Sequence, residues 1–102
     1  MVVIWQEEAR EDLKEYSRKS RMQTTEKIQN YISDLIEYVD LLGNNPCMGK
    51  LFYTYRNIDV RQLLFKMHRI IYHIENDEII IVKIIHTSRD IDNVIKYFNR
   101  FC

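Results

Sequence analysis

Glycine and proline are nearly absent from this chain, with two of the first and one of the second in 102 residues. Linker, collagen-like and disordered readings fall away with them, because each needs an abundance of those residues or a scarcity of hydrophobic ones, and here hydrophobic residues make up 46%. Cysteine is scarce too. Cys47 and Cys102 have no CxxC spacing and no clustered histidines beside them, so two incidental free thiols are expected, with no metal site and no cofactor. No apolar run approaches the roughly 18 residues of a membrane span, and MVVIWQEEAR lacks a basic flank and a cleavage site. No membrane contact and a cytoplasmic location are therefore expected. A length of 102 residues leaves room for one core, so residues 1–102 are read as a single domain.

Net charge is the last absence. Fifteen basic and fifteen acidic residues cancel, which argues against a surface that binds nucleic acid throughout. The distribution is less even. Residues 50–73 hold five bases, Lys50, Arg56, Arg61, Lys66 and Arg69, against the single acid Asp59, while the flanking segments are acidic. Two readings stay open for these five: a local site for an anionic ligand, or edge-strand cations that discourage aggregation.

What is present is periodicity. Met1–Trp5 is an apolar run too short for a helix and reads as a strand. From Glu7 to about Lys19, Ala9, Leu13 and Tyr16 form a narrow apolar stripe. After Thr24 as N-cap, Ile28, Tyr31, Ile32, Leu35, Ile36, Val39 and Leu42 follow the helical period until Gly43 to Pro46 stop it. The short connector makes these two helices an antiparallel hairpin covering one face of a sheet. Asp59–Phe65, Arg69–Ile74 and Ile79–His86 supply that sheet, the last two joined by a tight reversal at Asn76-Asp77. The last strand has Lys83 as its only polar interruption, so both of its faces need cover. Ile91, Val94, Ile95, Phe98 and Phe101 predict an amphipathic C-terminal helix as one cover, and a partner chain is the other. The class is α+β: an antiparallel sheet in the order β-α-α-β-β-β-α, with an N-terminal helical hairpin on one face and a C-terminal helix.

Three motifs stand in order along this framework: Val60, Arg61, Leu63 and Phe65 in VRQLLF; Arg69 to Tyr72 in RIIY; and His86, Arg89, Asp90 and Ile91 in HTSRDI. Asn45, Pro46 and Gly49 add N-P-x-x-G. Together they resemble the RelE/ParE superfamily, the toxin halves of bacterial type II toxin–antitoxin pairs, and the ParE branch especially. The resemblance implies a toxin that arrests growth by binding and inhibiting DNA gyrase, without catalysis, and that is neutralised in a hetero-oligomer with a cognate antitoxin. The alternative it implies is a RelE-like endoribonuclease, an interferase that cuts mRNA on the ribosome.

RNA cleavage needs a group to take the 2′-hydroxyl proton, one to protonate the leaving oxygen, and cations for the phosphate charge. By resemblance Arg69 and Arg89 match the two arginines of the nuclease branch, with Tyr97 an approximate counterpart of its terminal aromatic. That branch carries two lysines where Val60 and Gln62 stand here. A second nuclease route, built on Glu, Arg and His, keeps His68, His73, His86 and Glu75 in view. The site residues expected for gyrase are Arg61, Arg69, Arg89, Lys96 and Arg100; those for the antitoxin are Ile28, Leu35, Arg61, Ile79, Ile81 and Phe98. His86 is either a hydrogen-bonded strand-end imidazole or a general base, and Arg89 either pairs with Asp90 or contacts the target. Tyr72 and Trp5 are expected in the core.

Overall fold

The computed structural model describes residues 1–20 and 24–87, with Phe52 described by its backbone alone. The expected C-terminal helix lies outside the described residues. The elements are β1 (Val2–Trp5), α1 (Glu7–Lys19), α2 (Thr25–Asp40), a 3-10 turn (Leu41–Gly43), β2 (Lys50–Tyr55), β3 (Ile58–Phe65), β4 (His68–Glu75) and β5 (Glu78–His86). The helices form where the stripes place them. Glu7 and Glu8 open α1, and Arg18 and Lys19 close it, each complementing the helix dipole. The Thr24 hydroxyl accepts the Lys27 N–H at 3.2 Å and caps α2.

The strands form one sheet in the order β1-β5-β4-β3-β2. Two details differ from the expected antiparallel sheet. β1 runs parallel to β5, with Val3 opposite Ile79 and Trp5 opposite Ile81, so the sheet is mixed. An additional strand, β2, pairs antiparallel with β3. The first difference follows from the composition of β5: a strand apolar on both faces suits an interior position beside a parallel neighbour. The second has no mark in the sequence because the β2–β3 turn carries no glycine. Arg56 and Asn57 both take left-handed φ, 49° and 66°, a conformation that asparagine tolerates and arginine rarely signals. Asn76 and Asp77, at 53° and 60°, make the β4–β5 reversal as expected.

Alternation divides the sheet into two apolar faces. On one, Ala9 and Leu13 of α1 and Leu35, Val39 and Leu42 after them pack against Leu63, Ile70, Tyr72, Ile79, Ile81 and Ile84. On the other, Val60, Ile71, Val82 and Ile85 cluster with Tyr53 and Ile80, strand residues throughout. Val82 is the extra residue of a bulge, since the β4 register passes from Tyr72 opposite Ile81 to Ile71 opposite Lys83. The bulge returns Ile84 to the helical face and leaves Lys83 reaching Glu8 and Asp12 of α1, at 3.2 Å each.

The loop from Asn45 to Gly49 is tied to this core by one side chain. Tyr72 is fully buried, and its hydroxyl donates to the Pro46 carbonyl at 2.7 Å while accepting the Gly49 N–H at 2.9 Å. Arg61, opposite Tyr72 on β3, donates to the Gly49 carbonyl at 2.9 Å. A Cβ at Gly49 would lie 2.7 Å from the Gln62 carbonyl oxygen and 2.7 Å from the Tyr72 ring, so only glycine fits there. Replacing Tyr72→Phe leaves the Gly49 N–H buried without its acceptor and should cost about 1–3 kcal/mol of unfolding free energy in urea titration. Gly49→Ala should cost at least as much; a change below about 0.5 kcal/mol in either variant would show that the loop does not hold the fold.

Candidate functional site

β1 covers only the first half of β5, ending opposite Ile81, and α1 runs along the edge left open beyond it. There the Asp12 carboxylate accepts the Ile84 N–H at 3.0 Å and pairs with Lys83. Burial raises the Asp12 pKa above its ordinary value, and the Ile84 N–H and the Lys83 ammonium oppose that shift. A cleft of about 370 Å³ opens beside this contact, lined among others by Tyr16, Lys19, His68, Lys83 and His86. His68 is 4% exposed and directly opposite His86 in the β4–β5 register.

The surroundings of His68 fix its protonation. Tyr31 Oη lies 2.7 Å from His68 Nδ1, accepts the Met67 N–H at 3.3 Å and lies 3.5 Å from the Phe65 carbonyl oxygen, so it can donate to a bare Nδ1 or accept from an Nδ1–H. The Tyr16 ring meets the imidazole edge-on at 4.7 Å between centroids, and the His86 ring does so at 5.5 Å. Burial first, and the nearby His86 second, push the His68 pKa down to about 4. His68 is therefore neutral at pH 7.

The expected site residues are not gathered at this cleft. Arg69 stands opposite Ile85 on the face away from the helices, where it donates to Gln62 Oε1 at 2.8 Å. His86 faces the other way with His68. Val60, at one of the two lysine positions of the nuclease branch, is 2% exposed within the second apolar cluster. His73 shares the Arg69 side of the sheet, where burial lowers its pKa against the pull of Glu75. Arg89, Lys96, Tyr97, Phe98 and Arg100 lie outside the described residues.

Two further expectations are redrawn. The five cations of residues 50–73 do not make one patch. Arg61 and Arg69 point to opposite faces by alternation, while Arg56 and Lys66 sit in turns at opposite ends of β3, over the Tyr55 ring and over the Tyr31 and Phe65 rings. Of the residues assigned to the antitoxin, Ile28 (5% exposed), Leu35, Ile79 and Ile81 (0% each) are buried within this chain, because the stripe that marks a binding helix is the same stripe that marks a core helix. Ile36, by contrast, is 37% exposed and lines a groove of about 690 Å³ between β1, α1 and α2. Val3, Trp5 and Leu13 line that groove, with Arg10 and Lys14 at its edge.

Comparison with known proteins places this fold. The model of the ParE toxin of the type II toxin–antitoxin system parDE matches residues 3–91. The chain thus belongs to the ParE toxin family and is the toxin component of a type II toxin–antitoxin system, with an antitoxin as its partner. A solved structure described as the chromosomal ParDE toxin–antitoxin system from P. aeruginosa superposes with a TM-score of 0.73 at 22% identity, covering 86% of this chain and 97% of the other. That likeness is one of fold. No curated protein sequence matches. Among the described residues no helix is long and apolar enough to cross a membrane.

The neutral buried imidazole makes stability depend on pH. The unfolded His68 takes its proton near 6.5 and the folded one near 4, so between those values the unfolded chain holds more protons and stability falls as pH falls. The contribution is complete above pH 6.5, and about 3 kcal/mol of it is lost by pH 4. An NMR titration should place the His68 inflection near pH 4; an inflection at the ordinary value would refute the buried, uncharged imidazole.

Proposed function

We propose that this toxin arrests growth by binding and inhibiting DNA gyrase, and that it does not cut ribosome-bound mRNA. The observation that carries the reading is the separation of Arg69 from His86: they stand on paired strands one position apart and point to opposite faces. The scissile phosphate cannot be held by one while the adjacent 2′-hydroxyl gives its proton to the other, because the sheet lies between them. Arg69 also spends a guanidinium N–H on Gln62, and the position of the second nuclease lysine is that glutamine. Binding needs no such convergence. Arg61 and Arg69, with Arg89, Lys96 and Arg100, are proposed as target contacts, which places the action where gyrase is, in the cytoplasm.

The antitoxin is proposed to occupy the groove beside Ile36. Its lining is apolar and its rim cationic, which suits a segment with apolar anchors and acidic flanks. Phe98 and Arg61 remain proposed as further contacts.

Purified toxin should inhibit gyrase supercoiling, and the same preparation should leave ribosome-bound message uncut in primer extension. Codon-positioned cleavage would overturn the gyrase reading. The double substitution Lys96→Glu with Arg100→Glu should abolish growth arrest while antitoxin binding persists; arrest that survives it would move the gyrase contacts elsewhere. Ile36→Glu, at an exposed position, should leave the toxin folded and weaken antitoxin binding by at least about tenfold, the loss of an apolar anchor worth over 1 kcal/mol. Unchanged affinity would remove the groove from the antitoxin interface.

A further inference from the structure

His68 and His86 are two of the chain's three histidines, 18 positions apart, and the β4–β5 hairpin sets them directly opposite each other on one face. Their ring centroids are 5.5 Å apart and their planes stand at 78°. A metal–imidazole bond of about 2.0 Å, together with the ring's own radius, puts two rings that share one tetrahedral ion about 5 Å apart between centroids. The observed spacing is close to that. We propose that His68 and His86 form a two-imidazole seat for a divalent transition-metal ion of the zinc, nickel and copper class, in the cleft between α1 and the end of β5.

The surroundings of His68 suit a ligand role. A metal takes the unprotonated nitrogen, so binding at Nε2 requires the proton to stand on Nδ1. Tyr31 can accept it there: its oxygen is 2.7 Å from Nδ1, and its own hydrogen can turn to the Phe65 carbonyl oxygen, 3.5 Å away. The phenol thus serves either tautomer and orients the ring from behind, as outer-shell partners of metal-bound histidines do. Among the described residues the charged groups facing the cleft are the carboxylates of Asp12 and Glu15 and the ammoniums of Lys19 and Lys83. They balance, and each ammonium is paired with a carboxylate, Lys19 with Glu15 and Lys83 with Asp12 and Glu8.

Among the described residues no group of three histidine, cysteine or acidic side chains converges as a ligand set. The pair therefore supplies two positions and water the others, which makes the site open and of modest affinity. Nickel and copper should bind at least as well as zinc through imidazole nitrogen. An ion held there joins β4 to β5 where β1 no longer flanks β5, and by mass action it raises the unfolding temperature roughly with the logarithm of its concentration above Kd.

The test is titration of the untagged full-length chain with zinc chloride and with nickel chloride, followed by calorimetry and by imidazole nitrogen NMR. One equivalent of saturable binding should shift the His68 and His86 resonances and leave His73 in place, His73 being on the opposite face. His86→Ala, at an exposed position that should fold, loses a direct ligand and should weaken binding by at least about tenfold, the least that even outer-shell changes cost. His73→Gln and Cys47→Ser should bind as the unaltered chain does. Absence of saturable binding, equal affinity in His86→Ala, or loss of binding in either control variant would overturn the proposal.

Discussion

The fold depends on β5 being apolar on both sides. A nine-residue strand with one charged interruption has to lie inside a sheet, and every neighbouring relation follows from that need. β1 shields its first half on one edge and β4 its whole length on the other. The bulge at Val82 keeps Ile84 on the helical face after Ile81, so both faces stay apolar along the strand although the alternation is broken. Lys83, the interruption, is not placed against either cluster. It reaches the carboxylates of α1, and that contact, with the Asp12 bond to the Ile84 N–H, fixes how the helical hairpin sits on the open edge.

The motifs that point to the family describe this architecture more than any chemistry. Pro46, Gly49, Arg61 and Tyr72 come from three of the four motifs, and all meet at one junction through the Tyr72 hydroxyl and the Arg61 guanidinium. Their spacing reports a loop folded over a strand pair, which toxins of either mechanism need. Membership was therefore readable from the chain while activity was not.

Residues with strong periodicity were legible and residues that meet through register were not. Both helices, the Thr24 cap, the Asn76-Asp77 reversal and the burial of Tyr72 follow from local patterns. β2 escaped because its turn is made by Arg56 and Asn57, and an arginine at positive φ leaves no mark in sequence. The parallel pairing of β1 escaped because a four-residue apolar run does not encode direction. Assigning Ile28, Leu35, Ile79 and Ile81 to a partner failed for a related reason: an apolar stripe says that a face is covered, not by what. The pairing of His68 with His86 depends on a hairpin register across 18 positions, whereas His73, nearer to His68 in the chain, lies on the other side of the sheet.

The same period of two decides what the cations can do. Arg61 and Arg69 are eight positions apart in sequence, in a segment whose charge stands out, and composition alone makes them neighbours. In the sheet Arg61 turns toward Gly49 on the helical side, and Arg69 toward Gln62 on the reverse. Two guanidiniums on opposite faces cannot clamp one phosphate, but they can each contact a different surface of an enclosing partner. Charge segregated along a chain becomes charge distributed around a sheet, because alternation sends neighbouring cations to opposite faces.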